Sequence, residues 1–65
     1  MIEVNGDSHP WREGMTVAEL LKEKRYTFPM KVVRMDGRLV RRDEYARTSI
    51  PDGARIAVIH LTSGG

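Results

Sequence analysis

Apolar and polar residues alternate across Ile2, Glu3, Val4 and Asn5, the period of a strand with one buried face. Asn5-Gly6 follows, the dipeptide that best accepts the positive φ angles of a type I′ hairpin turn, so a return strand is predicted over 7–11. Pro10 has no N–H for a ladder, which places that strand at a sheet edge. The period changes at Thr16. Val17, Leu20 and Leu21 fall on one helical stripe, and Thr16 and Glu19 have the spacing of a capping box. Lys22, Lys24 and Arg25 are placed in the last turn, where positive charge complements the helix dipole, and Pro29 closes the helix.

The second half returns to strand periodicity. Residues 31–35 are predicted as a strand with Val33 and Met35 in phase, Asp36-Gly37 is a second hairpin signal, and Leu39 and Val40 belong to the returning strand. One short helical turn is expected over 43–47. Pro51-Asp52-Gly53 is a turn, because Pro presets φ and Gly accepts a conformation that side chains resist. The last strand is predicted over 55–61 and runs into Thr62-Ser63-Gly64-Gly65. One helix with one apolar stripe must cover one face of a sheet. The order hairpin, helix, hairpin, turn, strand therefore predicts an α+β fold of the β-grasp kind: a mixed four- to five-stranded sheet packed on one helix, the last strand beside the first. The expected division is a domain over 1–61 and a flexible tail over 62–65.

Composition narrows the function. A chain of 65 residues buries only roughly 60% of the surface that its unfolded form exposes, so a deep cleft and a self-sufficient enzyme are not expected. The absence of cysteine excludes disulfides, a thiol nucleophile and a cysteine-based metal site, and fits a reducing cytosol. His9 and His60 are far apart in sequence, and no metal site is expected. The N-terminus has no basic start followed by an apolar run, and no apolar stretch nears the roughly 18 residues of a membrane helix; a cytoplasmic, membrane-free protein is the expectation. Eleven basic and nine acidic residues leave a net charge of +2. Arg34, Arg38, Arg41, Arg42 and Arg47 are the densest basic region. Acids interrupt it and stacking aromatics are scarce, so it reads as a solvated face or one that meets an acidic partner surface, not as a nucleic-acid site.

Gly64-Gly65 is poor material for a fold, since Gly has most backbone freedom to lose and no side chain to pack. It suits a thin tail that enters a narrow site on another protein, with the Gly65 carboxylate as the working group and Gly64 as its access partner. The alternative is a ragged terminus. A carboxylate is a poor electrophile, and no GxxxxGK[ST] phosphate loop is present, so activation must take place on a partner.

The sequence resembles the ThiS family of ubiquitin-like sulfur carriers from thiamine biosynthesis. The resemblance rests on VNG at 4–6, TVAELL at 16–21, DGRLVRRDEYA at 36–46, IPDGARIAVI at 50–59 and the final GG, which together span the chain. The family usually has Asn at Asp36, often Pro at Arg41 and an acidic residue near Ala54, and Trp11 is not one of its features. The resemblance implies that a partner, an E1-like adenylating enzyme, uses ATP to adenylate Gly65. A sulfur donor such as a cysteine desulfurase then replaces AMP, and the resulting thiocarboxylate serves thiazole synthase. The carrier itself would bind no cofactor, catalyse nothing and be a monomer when free. Gly-Gly carriers for molybdopterin, tRNA or amino-acid sulfuration are the near alternatives, and a small nucleic-acid-binding module the distant one.

In the family's register Ile56 and Val58 face the helix, which leaves Ala57, Ile59 and Leu61 exposed on the open sheet face as a docking patch for partners. The alternative is that Ile59 or Leu61 tucks under a loop. Trp11 reads as a cover at the core edge rather than a partner anchor, Tyr45 as a plug beside Ile50, and His60 as a strand-end residue with a polar tip.

Overall fold

The structure is a computed structural model, and it describes residues 1–26 and 30–61. Strands β1 (Ile2–Val4) and β2 (Asp7–His9) form the first hairpin. Asn5 and Gly6 take φ values of 50° and 88°, the left-handed pair that a two-residue turn of this hand needs. β2 ends at His9, earlier than the predicted 7–11, because Pro10 cannot extend the ladder.

Helix α1 (Val17–Glu23) opens with the predicted capping box. The Glu19 N–H donates to Thr16 Oγ1 at 3.2 Å, and the Thr16 N–H donates to Glu19 Oε1 at 3.1 Å. Val17, Leu20 and Leu21 are its buried stripe. The helix stops sooner than its charge pattern predicts. Lys22 is in the last turn, Lys24 is the C-cap, and Arg25 lies beyond it at φ 59°. The Arg25 N–H donates to the Lys22 carbonyl at 3.1 Å and the Tyr26 N–H to the Leu21 carbonyl at 2.8 Å. This is a Schellman closure with Arg in the place usually held by Gly. Pro29, expected to end the helix, lies outside the described residues.

β3 (Lys31–Met35) and β4 (Arg38–Val40) make the second hairpin, with Asp36 at φ 51° and Gly37 at φ 83°. A 3-10 turn covers Arg42–Arg47, one residue longer than predicted. Its start is fixed by Glu44, whose carboxylate accepts from the Arg41 N–H at 3.0 Å. β5 (Arg55–His60) is one residue shorter than predicted, because its partner β3 begins at Lys31, opposite His60.

The sheet order is β2-β1-β5-β3-β4, with β1 parallel to β5 and the other pairs antiparallel. Five strands with the last beside the first is the expected β-grasp topology. Ile2, Val4, Val33, Val40, Ile56 and Val58 point from the sheet into the core, where they meet Met15, the helix stripe, Ile50 and Ala54. Ile56 and Val58 are 1% and 7% exposed, so the register chosen for the last strand holds. Trp11, Tyr26, Met35 and Tyr45 seal the margins of this core.

Candidate functional site

Strand β5 lies at the centre of the sheet and leads toward Gly64 and Gly65, which lie outside the described residues. Alternation along β5 turns Arg55, Ala57 and Ile59 to the face opposite α1. Ile59 is 47% exposed and Leu61, just past the strand, 43%. The Leu61 N–H still donates to the Met30 carbonyl at 3.0 Å, so the chain is held along β3 one residue beyond the strand. Ala57 differs from expectation. It is half-buried, because its methyl group sits low in a central strand opposite the long side chain of Arg34.

Val32, opposite Ile59, is half-buried, and Leu39, opposite Arg34, is 63% exposed. The open face thus has an apolar end around Val32 and Ile59, toward Leu61. Its other end is charged, where the Arg55 Nε lies 3.3 Å from Glu3 Oε2. Arg34, Arg38, Arg41, Arg42 and Arg47 are all exposed, and Arg41 pairs with Asp43 at 3.8 Å. They do not form one patch: Arg34 is on the open face, Arg38 on β4 at the sheet edge, and the others at the 3-10 turn.

An open hollow of about 240 Å³ lies between the second hairpin and the 3-10 turn, lined by Met35, Arg38, Leu39, Val40, Glu44 and Thr48. Two of its polar residues, Glu44 and Thr48, serve the fold. Glu44 accepts from the Arg41 N–H, and Thr48 Oγ1 donates to the Glu44 carbonyl at 2.7 Å. Neither is set up as a nucleophile beside a base. Among the described residues no group of His, Asp and Glu side chains could hold a metal ion, and no helix is long and apolar enough to cross a membrane.

Trp11 is half-buried at the core margin, and its indole N–H donates to the Ile50 carbonyl at 2.6 Å. Tyr45 is half-buried against the core that holds Ile50, with Lys31 Nζ 5.7 Å from its ring centroid. His60 is exposed at the end of β5.

Sequence reasoning missed two features. One is a charged clamp between the first hairpin and α1. Arg12 lies 2.5 Å from Glu23 and 3.5 Å from Glu19, and His9 Nε2 lies 3.1 Å from Glu23 Oε1. The hydrogen bond from Arg12, then that from His9, holds the Glu23 carboxyl below its ordinary range. The Glu19 carboxyl is lowered first by the Thr16 backbone N–H. The other is the use of turn side chains to hold β5. Asn5 and Asp36 carry a signal only as turn residues, and their reach to Val58 and Arg55 depends on a strand order that the local sequence does not state.

Fold and site together define a small β-grasp domain whose central strand leads to a Gly-Gly sequence. The ThiS family model matches residues 1–65. The chain belongs to the ThiS family, the one its motifs resemble. Among solved structures it is similar to the thiamine biosynthesis protein (ThiS) from Geobacter metallireducens, with a TM-score of 0.78 and 24% identity over 98% of this chain and 97% of that one. That likeness supports the fold. No curated protein matches the sequence.

Proposed function

We propose that this protein is a sulfur carrier of thiamine biosynthesis whose Gly65 carboxylate is adenylated by an E1-like enzyme and converted to a thiocarboxylate. The observation that carries this reading is the match to the ThiS family over residues 1–65, which takes in Gly64 and Gly65. The chemistry fits. Adenylation joins the carboxylate oxygen to the α-phosphorus of ATP and releases pyrophosphate. A sulfur nucleophile then attacks the acyl carbon, AMP leaves, and the C–S bond remains. The reductant that frees the sulfur from a persulfide donor belongs to the donor system. Thiazole synthase is the acceptor in this reading, the cytoplasm its setting, and ATP a substrate of the partner.

The open sheet face is the docking surface. Ile59 and Leu61 supply exposed apolar area at the C-terminal end of β5, and Ala57, half-buried, gives a low surface that a partner can approach closely. The test is pyrophosphate release from ATP by the cognate activating enzyme. The full chain should support it and the chain without Gly65 should not; equal release with both would refute the assignment of Gly65.

A further inference from the structure

Strand β5 carries Ile59 and leads to the glycines, and two turn residues hold it by their side chains. β1 ends at Val4, opposite Ile56, and its backbone ladder closes with the Asn5 N–H donating to the Ile56 carbonyl at 2.9 Å. The chain then turns away at Asn5-Gly6. The Asn5 side-chain amide takes over from the lost backbone. Its Oδ1 accepts from the Val58 N–H at 2.8 Å, and its Nδ2 donates to the Val58 carbonyl at 3.2 Å. One amide side chain thus occupies both backbone groups of Val58, as the next peptide of β1 would have done. At the opposite end of β5 the Asp36 N–H donates to the Arg55 carbonyl at 2.8 Å, and Asp36 Oδ1 accepts from the Arg55 N–H at 2.9 Å.

Each clamp occupies both backbone groups of one β5 residue, Asn5 with its side-chain amide alone and Asp36 with its backbone N–H and its carboxylate. Both residues are left-handed, at φ 50° and 51°. Asp36 holds the first residue of β5, and Asn5 holds Val58, three residues before Leu61. On the β3 side, pairing continues through His60, and the Leu61 N–H reaches Met30. Without Asn5, the Val58 N–H and carbonyl would lose both of these bonds on the β1 side of β5, while the β3 side stayed paired through His60 and Leu61.

We propose that Asn5 is a positioning residue for the reaction at Gly65: its two-bond hold on Val58 fixes the end of β5 that a partner's active site must meet. The proposal rests on the reading of Gly65 as the reactive group. Misdirecting a reacting group lowers the rate after docking more than it weakens docking, because the orientation must be recovered at each turnover.

Asn5→Gly and Asp36→Gly form the test pair. Glycine accepts the positive φ at either turn, so each variant keeps its hairpin and loses one side-chain clamp. Pyrophosphate release is followed against carrier concentration with the cognate activating enzyme, and amide exchange is read at Val58 and Leu61. Asn5→Gly should lower kcat about tenfold with KM within about twofold, and should speed exchange at both amides. Asp36→Gly should keep the wild-type kcat and the wild-type exchange at Leu61. Asn5→Asp keeps an oxygen for the Val58 N–H but sets a second carboxylate oxygen against the Val58 carbonyl, so it too should lower kcat at little change in KM, and serves if Asn5→Gly does not fold. Equal losses of kcat at Asn5 and Asp36, or a wild-type kcat in Asn5→Gly, would overturn the proposal. If even the wild type releases no pyrophosphate, the assignment of Gly65 fails instead. Exchange then decides on Asn5 alone, and an unchanged Leu61 amide in Asn5→Gly overturns it.

Discussion

The indole of Trp11 donates its N–H to the carbonyl oxygen of Ile50, 39 residues away, at 2.6 Å. This bond ties the segment after the first hairpin to the approach to the Pro51-Asp52-Gly53 turn, where the Ile50 N–H also donates to the Met15 carbonyl at 2.8 Å. Trp11 thus covers the core margin and satisfies a part-buried carbonyl. Trp11→Phe should keep the ring in place and lose the bond, at a cost of about 1 kcal/mol. Thermal unfolding checks this, with a fall in Tm of about 4–8 °C for a domain of this size. Adenylation of the folded variant should be unchanged; a large loss of partner affinity with no loss of stability would make Trp11 a partner anchor instead.

Arg25 is exposed and left-handed at the end of α1, in a Schellman closure where a side chain is strained. Arg25→Gly should therefore stabilise the protein by about 0.5–1 kcal/mol, the strain relieved less the extra chain entropy of glycine. Denaturant titration reads this as a higher midpoint at an unchanged slope. A lower midpoint would mean that the aliphatic part of Arg25 contributes more than its backbone geometry costs.

The clamp of Arg12 on Glu23 and Glu19 makes a small, acid-sensitive contribution to stability. Both carboxyls are held below their ordinary value of 4.5, Glu23 first by the side chain of Arg12 and Glu19 first by the Thr16 backbone. A carboxyl lowered on folding binds its proton more weakly in the folded chain. It contributes stability above pH 4.5, which is lost as pH falls through the lower folded values. The pairs are exposed, so the effect is small and screened by salt. Arg12→Ala should flatten the fall in Tm below pH 4.5 at low ionic strength, and an identical acid profile in wild type and variant would remove the clamp from the account.

Most of the fold was legible because its signals are local. Asn5-Gly6 and Asp36-Gly37 each require left-handed backbone, Thr16 and Glu19 close their own box, and the periods of β3 and α1 need no distant partner. The errors fall where the outcome depends on a distant partner or on a left-handed residue that is not glycine. β5 stops at His60 because β3 starts at Lys31, α1 stops at Glu23 because Arg25 turns left-handed, and Ala57 is half-buried because Arg34 stands opposite. The family was legible in the motifs that resemble ThiS, and the exposure of Ile59 in the alternation of β5. The holds of Asn5 on Val58 and Asp36 on Arg55 were not, since a turn residue looks the same in sequence whether or not its side chain reaches a third strand.

Ile59 is the position where docking and folding are separated most cleanly. Its side chain is on the open face and 47% exposed, so Ile59→Arg should change stability by no more than about 0.5 kcal/mol. Placing a charge in a desolvated apolar contact should weaken binding to the activating enzyme about tenfold or more. Calorimetric affinity beside thermal unfolding distinguishes the two. Wild-type affinity would remove Ile59 from the docking surface, and an unfolded variant would mean that the face is core.

The central claim is that the protein carries sulfur on Gly65, and intact-mass spectrometry tests it most directly. After incubation with ATP, the cognate activating enzyme and a sulfur donor, the wild-type chain should exchange one oxygen for one sulfur, located by fragmentation at its C-terminal residue. A chain lacking Gly65, and one extended by a residue beyond it, should remain unchanged in mass while keeping the wild-type Tm. Sulfur found on either variant at the wild-type rate, or none on the wild-type chain, would contradict the account.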